Sequence, residues 1–152
     1  MLGWIHSCLE KLVLITFGEE MWQKIKWEAQ CNEKNGEWIR YDNYSEEQSL
    51  ALFTAACKHL NIERDALLEV FGGYFLEFMR GEGYLNMLTI LGTNLREWLN
   101  NVNTIHTNLS NTLVEASFPE FFCTDDEQAD GIHESMIFHY FSHVSIVLNQ
   151  LL

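Results

Sequence analysis

Basic residues are scarce in this chain. Nine Lys and Arg stand against 22 Asp and Glu, so the net charge is 9 − 22 = −13. A phosphate backbone or an anionic membrane surface demands a basic face, which excludes nucleic acid and membrane as expected partners. Proline occurs once, and no Gly- or Ser-rich run interrupts the sequence. There is accordingly no recognisable linker or low-complexity tail. The four cysteines (Cys8, Cys31, Cys57, Cys123) form no Cys-x-x-Cys pair, which argues against structural zinc and against a disulfide framework. No secretory signal opens the chain. Residues 1–18 are briefly apolar, but Glu10 and Lys11 sit in the middle, and the segment reads as an amphipathic helix rather than a leader or a membrane span. Free thiols without an export signal predict a cytoplasmic protein. A Gly-rich phosphate loop, an Asp pair set for two metals and a nucleophile elbow are all missing. The chain by itself is therefore not expected to be an enzyme.

What is present is a core. The 152 residues suffice for one domain with a buried interior, and 47% hydrophobic with 20% charged residues is ordinary for a folded protein. Spacings of three and four predict helices over Leu2–Thr16, ended by Gly18, and over Glu19–Ala29, with Trp22, Ile25 and Trp27 on its inner side. Cys31–Ser45 is polar and turn-rich and reads as a loop. Glu46–Leu60 is predicted helical with Ser45 as its cap. Asn61–Arg80 is helical, with Gly72–Gly73 expected to break or kink it. Tyr84–Leu91 is a short helix stopped by Gly92. Beyond Phe118 the pattern changes. FFCT and ESMIFHYFS read as strands of a hairpin about the acidic turn DDEQADG. Helices followed by strands predict an α+β fold: one domain over 1–152, mostly helical over 1–117, with a small antiparallel sheet in 118–152.

The long helix predicted over Asn94–Val114 carries the most informative residue. Leu95, Trp98, Leu99, Val102, Ile105, Leu109 and Leu113 form its apolar stripe. At about 100° per residue, His106 falls near the middle of that stripe. An imidazole facing a core needs partners for its nitrogens. Two readings stand: a core histidine hydrogen-bonded to backbone, or an axial ligand to haem iron in a greasy cavity. With 13% aromatic residues, among them ten Phe and five Trp, such a cavity is easily lined. No Cys-x-x-Cys-His motif exists, so a haem would be held non-covalently.

Several ungapped blocks, in order, resemble one family: MLGWIHSCLEKLV, FGEEMWQKIKWEAQ, VFGGYFLEFMRGEGY, ILGTNLREWLNNVNTIH, and the pair FPEFFCTD and FHYFS. They are similar to the haem-nitric oxide/oxygen-binding (H-NOX) domain at the start of soluble guanylate cyclase β subunits, from Met1 to about Ser142. The resemblance implies that His106 holds the iron of a haem b as its axial and metal ligand. It implies that Pro119 presses on the porphyrin and that Tyr140 and Ser142 belong to a Y-x-S-x-R motif that binds the propionates. Ile5, Phe75 and Met79 match positions lining the other face of the haem. This sequence departs from the pattern at Val144, where the family has arginine, and at Leu2, where tyrosine is usual. The family domain continues beyond the length of this chain, which therefore reads as truncated at its C-terminus.

The resemblance further implies a nitric oxide sensor. Nitric oxide binding opposite His106 weakens the histidine–iron bond, and its rupture signals to a cyclase partner subunit or to downstream domains, so regulating cGMP synthesis. Ile5, Phe75 and Met79 offer no donor to bound oxygen, so nitric oxide is favoured, with carbon monoxide a weak ligand. Tyr74 is a donor, but on a helix it points about 100° from Phe75. The alternative is a haem-free interaction module of the same fold, in which His106 is structural.

Overall fold

A computed structural model describes residues 2–31, 37–113, 118, 120–125 and 136–141, the last two segments by their backbone. Its elements are α1 (Gly3–Phe17), α2 (Glu19–Ala29), α3 (Glu46–Leu60), α4 (Arg64–Gly81), α5 (Leu85–Thr89), α6 (Leu95–Thr112), β1 (Glu120–Asp125) and β2 (Met136–Phe141). The architecture is mostly helical. It divides into two compact units, one up to Glu82 and one from Gly83 onward.

In the first unit α2 packs on α3 and on α1, and α1 packs on α4. Leu9, Val13, Trp22, Ile25 and Leu52 are fully buried between them. Gly18, at φ +83°, ends α1 and leads straight into α2. This left-handed conformation is one that glycine adopts without penalty. Ser45 caps α3 as predicted, its Oγ accepting from the Gln48 N–H at 3.1 Å.

Two sequence expectations need correction. Trp27 is 82% exposed and does not belong to the core; Trp22 and Ile25 alone carry the inner face of α2. Helix α4 runs unbroken through Gly72–Gly73. Each mid-helix glycine costs about 1 kcal/mol, but Leu67, Leu68, Phe71 and Phe78 are buried on either side of the pair, and each buried side chain of this size returns about 1.5–3 kcal/mol. The loop is irregular over its described residues, as predicted, but part of it is buried. Its second half, Glu37–Ser45, places Trp38 and Tyr44 in the core at 4% and 5% exposure.

That segment also finishes α1. Leu2 provides no side-chain cap. Instead the first free N–H groups of the helix find loop carbonyls: Gly3 donates to Asp42 at 3.0 Å and Trp4 to Arg40 at 3.1 Å. The approach is close enough to require glycine. A Cβ on residue 3 would lie 2.2 Å from the Ile39 carbonyl oxygen and 2.8 Å from the Tyr44 ring. Gly3→Ala is expected to push the loop off the helix and cost roughly 1–3 kcal/mol, the usual range for overpacking. Urea unfolding of the two proteins measures it; equal midpoints would count against this contact.

An ionic clamp closes the end of the same unit. Glu82 accepts from Lys11 Nζ at 2.7 Å and from Arg40 at 2.6 Å. Lys11 also sits 4.9 Å from the Phe78 ring centre and Arg40 5.1 Å from that of Trp4. The hydrogen bond from Lys11 holds the Glu82 carboxyl below the usual range.

In the second unit α6 packs on β1. The backbones of β1 and β2 pair antiparallel, with Glu120 opposite Phe141, Phe121 opposite Tyr140 and Asp125 opposite Met136. The start of α6 is doubly capped: Asn94 Oδ1 accepts from the Glu97 N–H, and the Glu97 carboxylate accepts from the N–H and hydroxyl of Thr93, all at 2.9 Å. This is a capping box displaced by one residue.

Candidate functional site

Helix α6 behaves unlike the helices of the first unit. There, the helices α1 to α4 each bury apolar residues completely or nearly so, with Leu9, Val13 and Leu52 inaccessible to solvent. On α6, Trp98, Leu99, Val102, Ile105, His106, Leu109 and Leu113 are each only half-buried, while Thr104, Thr107 and Asn108 face solvent. The stripe predicted from spacing is therefore there, and the second unit leaves it partly open. His106 lies on it. The Phe118 ring stacks near its imidazole, with centroids 5.4 Å apart and planes 30° apart. The His106 carbonyl also accepts from Ser110 Oγ at 2.8 Å. A half-open apolar face around one imidazole, with an aromatic ring beside it, suits a flat, greasy, metal-bearing group. By this measure the residues fit a haem.

The other expected site residues divide three ways. In the first unit Ile5 sits on α1, and Phe75 and Met79 sit on α4, all half-buried. Phe75 lies in an aromatic ladder: its ring is 6.0 Å from Phe71 and 6.4 Å from Phe78, stacked at 27° to both. Phe71 in turn meets Phe53 edge-on, and Phe78 meets Trp4 edge-on. None of these side chains except the Trp4 indole carries a hydrogen-bond donor. Tyr74, the neighbouring phenol, has its pKa raised by partial burial, and its electrostatic neighbours are Cys8 and Lys11 of α1. It therefore belongs to the α1–α4 seam. Tyr140 is placed by backbone register alone, opposite Phe121. Pro119 and Ser142, like Val144 and His143, lie outside the described residues.

One buried polar cluster was not anticipated. His6 is completely buried on α1, and its Nε2 lies 2.9 Å from Ser49 Oγ. Ser49 donates its own proton to the Ser45 carbonyl at 3.0 Å. The hydroxyl must therefore accept from the ring, which assigns the proton to Nε2 and leaves Nδ1 bare; Nδ1 has no partner. Trp38 and Tyr44 enclose the ring, with centroids at 4.5 and 4.9 Å. Burial holds the His6 pKa down at about 4. The signal was in the sequence. His6 falls on the same stripe as Leu9, Leu12 and Val13, and the periodicity argument applied to His106 would have selected it too. Cys8, buried nearby, has its thiol pushed up to about 12, so it stays protonated and inert.

Among the described residues, no three His, Cys, Asp or Glu side chains gather as a metal cluster, and no helix is long and apolar enough to cross a membrane.

Comparison with known proteins places this arrangement. Residues 2–147 match the Haem-NO-binding family. The soluble guanylate cyclase gcy-35 of Caenorhabditis elegans is 25% identical over 148 residues, covering 93% of this chain and 20% of that protein. The guanylate cyclase soluble subunit beta-2 of Rattus norvegicus is 38% identical over 78 residues, covering 51% of this chain and 11% of that protein. The chain thus spans about one fifth or less of these relatives' length. Among solved structures, an H-NOX protein from S. oneidensis in the Fe(II)NO ligation state superimposes with a TM-score of 0.73 at 15% identity, covering 95% of this chain and 76% of that one. The Fe(II) unliganded H-NOX protein from K. algicida gives 0.68 at 23% identity, covering 83% and 67%. At such identities the structures speak to the fold alone, and they agree with the helical layout described above. The family match occupies residues 2–147 of the 152. A mostly helical H-NOX fold, a half-open imidazole on an apolar helix and a family match over residues 2–147 converge: the chain belongs to the Haem-NO-binding family.

Proposed function

We propose that this chain is a haem-based nitric oxide sensor domain that regulates cGMP synthesis in a soluble guanylate cyclase. The observation that carries the reading is His106, half-open on the apolar stripe of α6 in a chain of the Haem-NO-binding family. A bound haem b would supply a ferrous iron with one coordination position open to a diatomic gas. His106 would hold that iron through a ring nitrogen. Ile5, Phe75 and Met79 line the ligand side and donate no hydrogen bond, which favours nitric oxide, admits carbon monoxide weakly and disfavours oxygen. Pro119 presses on the macrocycle, and Tyr140 and Ser142 hold the propionates. The β1–β2 pair forms part of a small antiparallel sheet, and both units serve one domain over residues 1–152. Release of His106 would free α6 to move, and that motion would be passed to a cyclase partner subunit or downstream domains in the cytoplasm. No catalytic step belongs to this chain.

A second reading, a haem-free interaction module, is favoured by Val144. Valine cannot make the bidentate, charge-assisted bonds that arginine makes to a carboxylate. The loss weakens propionate binding by about 1.5–3 kcal/mol, and Val144→Arg should tighten haem retention at least tenfold, measured by haem transfer to an apo-globin acceptor. The two readings separate on one experiment. The chain is expressed with haem supplied, reduced, and its absorption recorded before and after nitric oxide. A Soret band that shifts supports the sensor; no Soret band leaves the interaction module.

A further inference from the structure

The turn between α5 and α6 is held by side chains of α6. Trp98 donates its indole N–H to the Leu88 carbonyl at 3.0 Å, and Asn101 donates its amide to the Leu91 carbonyl at 2.6 Å. Leu91 is buried at 6% exposure. Buried carbonyls in a turn have no helical partner, and leaving one unpaired is costly. Contact reinforces these bonds: a Cβ at Gly92 would lie 2.6 Å from Glu97 Cβ and 2.7 Å from the Trp98 nitrogen. The turn therefore lies directly on the first turn of α6. Thr93 and Asn94, on the same segment, are bonded to Glu97. Residues 88–94 are in this way tied to α6 by the hydrogen-bonding side chains of Thr93, Asn94, Glu97, Trp98 and Asn101 and by the close approach at Gly92.

Asn101 lies five residues before His106. That is about 7.5 Å along the axis and about 140° around it. It cannot share the face His106 occupies, so any effect on that residue runs through the helix.

We propose that Asn101, assisted by Trp98, is a positioning residue for His106, locking Leu85–Leu91 to the first half of α6 so that the two move as one body when His106 shifts. The inference rests on the reading of His106 as an iron ligand. Without such a lock, motion of α6 would be absorbed by fraying at its N-terminus. With it, displacement at His106 reaches a segment whose Leu85 and Ile90 are exposed at 41% and 80%, where it can be sensed from outside.

The test uses the full chain, haem-loaded and reduced, with amide hydrogen exchange followed over residues 85–91 and 95–112 before and after nitric oxide. In the unaltered protein both segments should accelerate together, by at least fivefold. In Asn101→Leu, α6 should still accelerate while 85–91 no longer follows; Asn101→Gln, which keeps the amide donor, should restore at least half of the response. Trp98→Phe removes the indole N–H together with one ring, keeps an aromatic at the position, and should weaken the coupling. Segment 85–91 staying still in the unaltered protein, or following equally in Asn101→Leu, overturns the proposal. Failure to load haem overturns the sensor reading instead, and the coupling is then read on the haem-free chain in low denaturant. There, 85–91 and 95–103 should open in one step in the unaltered protein and in two steps in Asn101→Leu; two steps in the unaltered protein overturn it.

Discussion

His106→Gly should abolish the ferrous haem spectrum and its response to nitric oxide, and free imidazole at millimolar concentration should restore both. Losing an outer partner of a metal ligand costs roughly 10–100-fold in affinity, and loss of the protein's own axial ligand should cost more than that. The fold should survive. His106 is only half-buried, and a glycine in a helix interior costs about 1 kcal/mol, a modest part of the 5–15 kcal/mol that holds a domain together. Circular dichroism and a thermal melt on the haem-free proteins provide that control. Imidazole rescue separates a missing ligand from a damaged helix, because a soluble imidazole can occupy the space vacated beside Phe118 but cannot repair α6. A variant that kept the spectrum and the response unchanged would remove His106 from the site.

The second large effect belongs to the other histidine. Stability of the first unit should fall by about 3 kcal/mol between pH 6.5 and 4 through His6 alone. The folded pKa of about 4 lies below the ordinary imidazole value of 6.5. Below pH 6.5 the unfolded chain therefore takes up a proton that the folded chain refuses. The contribution is intact above 6.5 and is lost as the pH falls toward 4, at 1.36 kcal/mol per pH unit over the interval. The cause is geometric. The ring is enclosed by Trp38 and Tyr44, with its one bonded nitrogen turned to Ser49, so burial penalises a charge there. His6→Gln keeps an amide donor for Ser49 and cannot titrate. Urea unfolding at steps between pH 7 and 4 should show a shallower decline in this variant by about 3 kcal/mol at the acid end. Glu28 and Glu82 also lose stabilising partners in acid, since Lys58 and Lys11 respectively hold their carboxyls low, but they act below the usual carboxylate range and remain in both proteins. Parallel curves for the two proteins would show that His6 is not the acid-sensitive element.

Much of this was legible in one dimension. The spacing of Leu9, Leu12 and Val13, the Ser45 cap, the break at Gly18 and the stripe through Leu99, Val102, Ile105 and Leu109 are local properties of a 3.6-residue period and of glycine and serine chemistry. Structure adopted them with shifts of a residue or two at the ends. Where local rules were overridden, distant residues did it. The burial of Phe71 and Phe78 carried α4 through two glycines, and Trp38 and Tyr44 turned a polar loop into part of the core. Trp27 shows the reverse, an apolar residue near an inner stripe that no neighbour covers.

The two histidines mark the boundary most clearly. Sequence determined that each lies on an apolar helical face, because helical phase depends only on position along the chain. Which became sealed in the core and which stayed half-buried was decided in three dimensions. A serine 43 residues away and two aromatics from a loop close over His6, whereas His106 stays half-exposed beside Phe118. Burial depends on what the rest of the chain brings alongside, and no periodicity encodes that.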